Sequence, residues 1–345
     1  MFMEKKPRCP DEALRRVPTY VEVREYVLKA SMEPISLPKS VGKKALVRYT
    51  ARLDKVSNYF TKNVMEPLKS LRDALQVGFY KSIASNALPE GVSIDDLVGR
   101  LLGKLKKVKD LSREYRTKIS ASFDSAEAGE LYREYVGRVL SIARRLSKEI
   151  ELANKAIAEL RKTPCIDPSL PVVAVAGLPQ VGKSTLVSAI SSAKPKSSPF
   201  PFTTKEIILG HVSYGFSRFQ ILDLPGILDR PPEKMNEIER KAFIAITRLA
   251  NLILFLIDPS EDFYYGLESQ LNLLRFFKEQ LKVGIVVAIN KVDKVGPERL
   301  EKIATAIAEA APSTEIVKIS ALERVGLEEL LETLAKHLGR LSDLK

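Results

Sequence analysis

Val172-Val-Ala-Val-Ala-Gly-Leu-Pro-Gln-Val-Gly-Lys-Ser-Thr185 is the stretch whose reading decides the fold. Its first five residues form an apolar run that reads as a buried strand. The run stops at Gly177, and a helical pattern carrying Leu186, Val187 and Ile190 begins at Lys183. Gly177 and Gly182 enclose four residues and are followed by Lys183 and Ser184, the spacing of a phosphate-binding loop between strand and helix. Glycine is needed there because the backbone turns tightly while successive N–H groups approach phosphate oxygens. The helix that follows points its positive end at the same phosphates. The expected contacts are the loop from Gly177 through Gln180, Val181 and Gly182 to Thr185. Within it Lys183 reaches the β/γ-phosphates and the Ser184 hydroxyl binds Mg²⁺.

Outward from this loop, strand-like and helical runs alternate to the C-terminus. Strands are expected at 207–212, 219–222, 252–257, 283–289 and 316–319, and helices near 237–250, 267–280, 297–309 and 327–341. The pattern predicts an α/β P-loop domain over residues 165–345, an open and mostly parallel sheet flanked by helices. Three motifs fall at strand ends. Asp223-Leu-Pro-Gly226 offers a carboxylate that can hold Mg²⁺ through water and a Gly226 N–H that can sense a γ-phosphate. In Asn290-Lys291-Val-Asp293 the Asp293 carboxylate can accept from N1–H and the 2-amino group of guanine, which adenine cannot supply. Ser320-Ala321 follows the last strand and would set a backbone N–H near the guanine O6. Together these predict GTP or GDP as ligand.

The N-terminal half has a different character. Pro7, Pro10, Pro18, Pro34 and Pro38 mark residues 1–39 as an extended arm with one short helix around 21–30. From Ser40 to Pro164 the spacing is helical: one helix to about Thr61, a second from Met65 to Ala87, a third opening at Ser93. A long fourth follows, with Leu131, Tyr135, Val139, Ile142, Leu146, Ile150 and Leu160 on one face. This is an all-α antiparallel bundle over 40–164, preceding the nucleotide domain. Residues 1–165 hold 33 Lys and Arg against 21 Asp and Glu, while the rest of the chain is balanced, so the entire net charge of +12 lies in that half. Such an excess points to a polyanion, RNA ahead of a membrane surface. Cys9 and Cys165 lie far apart without metal-type spacing and are expected as free thiols in a reducing cytosol. With no apolar run long enough to span a membrane and no signal-peptide core at the start, the expectation is a cytoplasmic, monomeric protein.

Beyond the general nucleotide motifs, Phe202-Thr-Thr-Lys205, Gly210-His211, Pro225-Gly-Ile-Leu-Asp229, Asn236-Glu-Ile-Glu239 and Asp258-Pro-Ser-Glu261 are more specific markers. With Leu88-Pro, Asp95-Asp96-Leu97 and Ile166-Asp167-Pro168 they make most of the chain resemble the Nog family of nucleolar-type GTP-binding proteins, relatives of the Obg GTPases. The resemblance implies that Thr204 is the switch threonine binding Mg²⁺ in the GTP state. It also implies a helical N-terminal bundle and a role in assembling the large ribosomal subunit, with ribosomal RNA, precursor subunits and assembly proteins as partners. The long C-terminal extensions of eukaryotic relatives are absent from this sequence, which resembles a compact archaeal member.

Two positions bear on mechanism. Ile227 stands where many GTPases carry a glutamine that orients the attacking water, so hydrolysis by the protein alone is expected to be slow. Gln180 stands where related GTPases often have Asn, a residue linked to K⁺, and its extra methylene speaks against K⁺ stimulation. Arg230 in the second switch reads as a surface or docking residue ahead of one assisting in cis, and His211 as structural or docking rather than a catalytic base. Lys183, Thr204 and Gly226 are thus the expected catalytic set, and Ser184, Thr204 and Asp223 the expected Mg²⁺ ligands. The sequence leaves three functions open: a GTP hydrolase timing large-subunit assembly, a GTP-gated scaffold with negligible turnover, or an HflX-like GTPase acting on mature ribosomes.

Overall fold

The computed structural model describes residues 9–36, 44–192, 195–199, 206–223 and 249–342, together with Asp229, Met235, Phe243 and Thr247. The chain forms two units, one of Asp11–Arg161 and one of Lys162–Lys345 joined by Met1–Pro10. In the helical unit, α1 is the short turn Pro10–Ala13, and α2 (Tyr20–Met32) opens on a capping box. There the Thr19 N–H donates to Glu22 Oε2 at 2.7 Å while the Glu22 N–H donates back to Thr19 Oγ1. Val23, Val27 and Ala30 on α2 are buried, as are Leu14 and Val17 before it. The described part of the expected arm is therefore built into the bundle: its prolines bound a helix without preventing it from packing.

Helix α3 (Lys44–Tyr59) runs on through a π-helical turn, Phe60–Met65, into α4 (Glu66–Ala74). Pro67 directly follows the π-helical turn and the helix continues past it, so the break comes after Ala74 and not near Thr61 as the sequence suggested. Next come α5 (Gly78–Asn86) and α6 (Ile94–Ala121), the latter capped by Ser93. The expected long fourth helix is two, α7 (Ser125–Arg145) and α8 (Ser147–Leu160). Ser147 Oγ donates to the Arg144 carbonyl at 2.9 Å, a local bond that competes with the helical ladder at the break. Helix α6 packs on α3 and α7. Between them Tyr115 and Tyr135 are fully buried, and burial pushes both phenols up to about 12.

The second unit is a seven-stranded sheet in the order β2-β3-β4-β1-β5-β6-β7. Its strands are β1 (Val172–Ala176), β2 (Lys196–Pro199), β3 (Glu206–Tyr214), β4 (Ser217–Asp223), β5 (Leu252–Ile257), β6 (Gly284–Ile289) and β7 (Glu315–Lys318). Strands β4, β1, β5, β6 and β7 run parallel, whereas β2 and β3 add antiparallel. The described helices are α9 (Lys183–Ile190), α10 (Gly266–Gln280), α11 (Pro297–Ala310) and α12 (Leu327–Ser342). The helix expected near 237–250 falls largely outside the described residues. Strands β1, β5 and β6 are almost wholly buried, as a parallel sheet covered by helices requires. Strand β2, Lys-Ser-Ser-Pro, carries no apolar alternation and exists through pairing with β3.

Cys9 and Cys165 are joined in a disulfide, so the free thiols expected from sequence are not what the fold contains. A separation of 156 positions hid the pair, because only tertiary structure sets such a contact. Among the described residues no helix is long and apolar enough to cross a membrane.

Candidate functional site

The parallel strands deliver their carboxyl ends to one edge of the sheet, where open α/β folds bind ligands. At the end of β1 the backbone enters a loop in which Gly177, Gln180 and Gly182 take φ of +136°, +69° and +98°. A side chain at Gly177 would put its Cβ 2.6 Å from the Leu256 carbonyl oxygen, and one at Gly182 would run into Asn290 Nδ2. Both glycines are therefore demanded by backbone conformation and by space. Gly182 caps α9, so the first N–H groups of that helix open toward the loop. The Lys183 side chain folds back under the loop and donates to the carbonyls of Gly177 and Leu178 at 2.8 and 2.9 Å. Burial holds its ammonium below the ordinary lysine range, against the opposing pull of Asp223 and Asp229. A phosphate group arriving here would meet a desolvated cation with few competing anions.

Register places the metal partner. Val175 of β1 pairs with Asp223 of β4, which sets that buried carboxylate beside the start of α9. The Ser184 hydroxyl donates to Asp223 Oδ2 in a short bond. A hydroxyl next to a carboxylate is a hard-oxygen pair of the kind Mg²⁺ takes alongside phosphate oxygens, so Ser184 and Asp223 fit the expected ion. Thr204, Gly226 and Ile227 lie outside the described residues, and their expected roles rest on sequence. Thr185, also expected at the nucleotide, stands exposed in the first turn of α9.

The base-reading loop is welded to the phosphate loop through Asn290. This residue, 2% exposed, donates from Nδ2 to the Val181 carbonyl at 2.8 Å, while its Oδ1 accepts from the Ala321 N–H at 2.9 Å. One amide thus ties the loops after β1, β6 and β7. Lys291 sits at φ +61° and sends its ammonium to the Gln180 carbonyl at 2.9 Å and to Asp258 Oδ2 at 2.5 Å. Burial alone would raise the Asp258 carboxyl, but hydrogen bonds from Lys291 and Ser260 outweigh it and hold it below its ordinary value. Asp293 lies exposed in a single 3₁₀ turn, Val292–Lys294, open to a ligand.

Two site features differ from the sequence reading. The Ala321 N–H is committed to Asn290 and does not stand open for a guanine oxygen, while Ser320 closes its own loop by exchanging backbone bonds with Val325. Asp258 is the second: it appeared in the sequence only as part of a family marker, yet it anchors the lysine of the base-reading loop. Its signal was an aspartate directly ending an apolar strand at the ligand edge. A separate surface groove of about 800 Å³, lined by Ser260, Asp262, Lys294, Gly296 and Lys302 among others, lies beside this loop and is not the phosphate cradle.

This plan, with phosphate loop, acidic metal partner and Asn-Lys-x-Asp loop brought to one sheet edge, is that of a P-loop domain of the guanine-nucleotide class. Residues 172–291 match the family of 50S ribosome-binding GTPases, and residues 43–167 match the NOG1 N-terminal helical domain. Over both its helical and its nucleotide-binding unit the chain is similar to the Nog family of GTP-binding proteins. An uncharacterized protein of Methanocaldococcus jannaschii is 42% identical over 61% of this chain and 59% of its own length. Nucleolar GTP-binding protein 1 of Saccharomyces cerevisiae is 31% identical over 62% of this chain and 34% of its own. A crystal structure of a nucleolar GTP-binding protein 1 from Plasmodium falciparum shares 28% identity over 52% of this chain and 92% of that one, with a TM-score of 0.46. The chain thus spans about three-fifths of the archaeal relative and about one-third of the yeast one.

Proposed function

We propose that this chain is a Mg²⁺-dependent GTPase that acts as a nucleotide switch in assembly of the large ribosomal subunit, its basic helical unit contacting ribosomal RNA. The observation that carries the reading is Asn290, whose amide locks the phosphate loop to the loop bearing Asp293, so that triphosphate and guanine are read together. Lys183 and the N-terminus of α9 bind and orient the phosphates, and Ser184 and Asp223 hold the ion. Mg²⁺, when bound, neutralises charge on the β- and γ-phosphate oxygens. In this reading Thr204 and Gly226 engage only the triphosphate state, and the protein works as a cytoplasmic monomer with precursor particles as partners.

With Ile227 at the water-orienting position, turnover by the protein alone is slow and rises on ribosomal particles. The test is GTP turnover by the full chain alone, with mature large subunits and with precursor large subunits. Stimulation by precursors supports the reading. Stimulation by mature subunits alone favours an HflX-like role, and GTP binding without turnover under every condition favours a scaffold.

A further inference from the structure

Cys9 and Cys165 are the two cysteines of the chain, and their Cα atoms lie 4.8 Å apart. Cys9 stands just before the chain enters the helical unit, and Cys165 just after it leaves. The segment bearing Cys165 is fixed on the nucleotide-binding unit. Ile166 is buried, and the buried Gln220 amide grips Asp167 on both sides, accepting from its N–H at 2.8 Å and donating to its carbonyl at 2.9 Å. On the other side of the bond, Pro10 is buried directly after Cys9. The helical unit secures its own entry separately, the Asn154 amide gripping both the N–H and the carbonyl of Val17 at 2.9 Å. Both cysteines are partly exposed, within reach of soluble thiols and disulfides.

We propose that this pair is a site of oxidative modification that forms a lasting covalent clasp. It closes residues 9–165 into a loop holding the whole helical unit and keeps Cys9 and Pro10 on the nucleotide-binding unit. The clasp forms by exchange with a low-molecular-weight disulfide or a dithiol–disulfide oxidoreductase. One cysteine thiolate attacks a sulfur of the reagent, making a mixed disulfide and expelling one reagent thiol. The second cysteine then displaces the other reagent thiol. The two cysteines give up two electrons and two protons, and the reagent leaves as two thiols. Because folding holds Cys165 in place beside its partner, the effective concentration of the second thiol is high and the closed form is favoured. The closed form is then expected to persist across the range of the glutathione pool.

The exposed Arg15 and Arg16, between α1 and α2, supply the test. Brief trypsin treatment of the full chain cuts after them. The fragment ending at Arg15 or Arg16, which carries Cys9, is then expected to stay attached without reductant and to leave when dithiothreitol is added, whereas in Cys165→Ser it leaves under both conditions. Equilibration against graded mixtures of reduced and oxidised glutathione, read by maleimide labelling after denaturation, is expected to find the clasp closed throughout the range of the glutathione pool. Release of the peptide without reductant, labelling of both cysteines in unreduced protein, or half-opening within that range would each overturn the proposal.

Discussion

Asn290 Nδ2 occupies the space in which a Cβ on Gly182 would sit, and from there it donates to the Val181 carbonyl. The loop that reads the base and the loop that holds the phosphates are therefore one mechanical object, joined at a residue too small to be replaced. Gly182→Ala sets a side chain at φ +98° and drives it into that amide, at a cost of about 1–2 kcal/mol for the backbone alone. Nucleotide affinity is expected to fall about 5- to 30-fold, the equivalent of that cost, measured by calorimetric titration with GDP. Asn290→Ala leaves the Val181 carbonyl and the Ala321 N–H without their partner and is expected to lower apo stability by about 2–3 kcal/mol in urea unfolding. Wild-type GDP affinity in the glycine variant would mean that the two loops move independently.

The choice of base rests on the exposed Asp293. Replacing it with Asn removes an acceptor for two guanine donors, each charge-assisted bond contributing about 1.5–3 kcal/mol. GTP affinity is expected to drop about 10²- to 10⁴-fold while xanthosine triphosphate affinity improves. Unchanged GTP binding by Asp293→Asn would remove the guanine assignment.

Lys183 is a strained element of the apo protein. Its folded pKa lies below that of the unfolded chain, chiefly through burial, so the ammonium binds its proton less tightly in the fold than outside it. The resulting destabilisation is fully present below the folded pKa and is relieved as pH rises from there toward the unfolded value. Lys183→Met is therefore expected to raise the apo melting temperature at neutral pH, with the gain shrinking in alkaline solution, and to abolish GTP binding. A variant that melts lower than wild type at neutral pH would show that the two bonds to the Gly177 and Leu178 carbonyls outweigh the desolvation of the charge.

The nucleotide edge was legible in the sequence because its signals are local: an apolar run, two glycines at fixed spacing, and a helix that starts where the loop ends. The Ser184–Asp223 pair was half legible, each residue named for the ion but their direct bond set by the register of β4 on β1. Strand β2 and the Cys9–Cys165 bond were not legible, since each depends on a partner remote in the chain or lacks an apolar pattern of its own. The helical unit showed its helices but not their ends. The break expected between Thr61 and Met65 is a π-helical turn that the helix runs through, while Ser147 breaks what the apolar spacing draws as a continuous helix.

The charge of the helical unit leads to the last prediction. Much of the cationic surface of α6 is tied up: Lys104 reaches Glu149, Arg116 reaches Asp54, Lys118 reaches Glu114 and Arg113 reaches Asp110. Lys106 and Lys107 are exposed and, among the described residues, have no acidic side chain within ion-pair distance. With Lys109, which is likewise exposed, they are the cations of that helix most open to phosphate. If the helical unit holds ribosomal RNA, binding falls with salt at a log–log slope of about −0.7 to −0.9 for each phosphate neutralised. Lys106→Glu with Lys107→Glu is expected to weaken RNA binding and flatten that slope by roughly one to two units, in filter binding across a salt series. GDP affinity should not change, because neither residue belongs to the nucleotide-binding unit. An unaltered slope in the double variant would move the RNA contact off this face of α6. RNA binding of undiminished strength by the nucleotide-binding unit alone would remove it from the helical unit altogether.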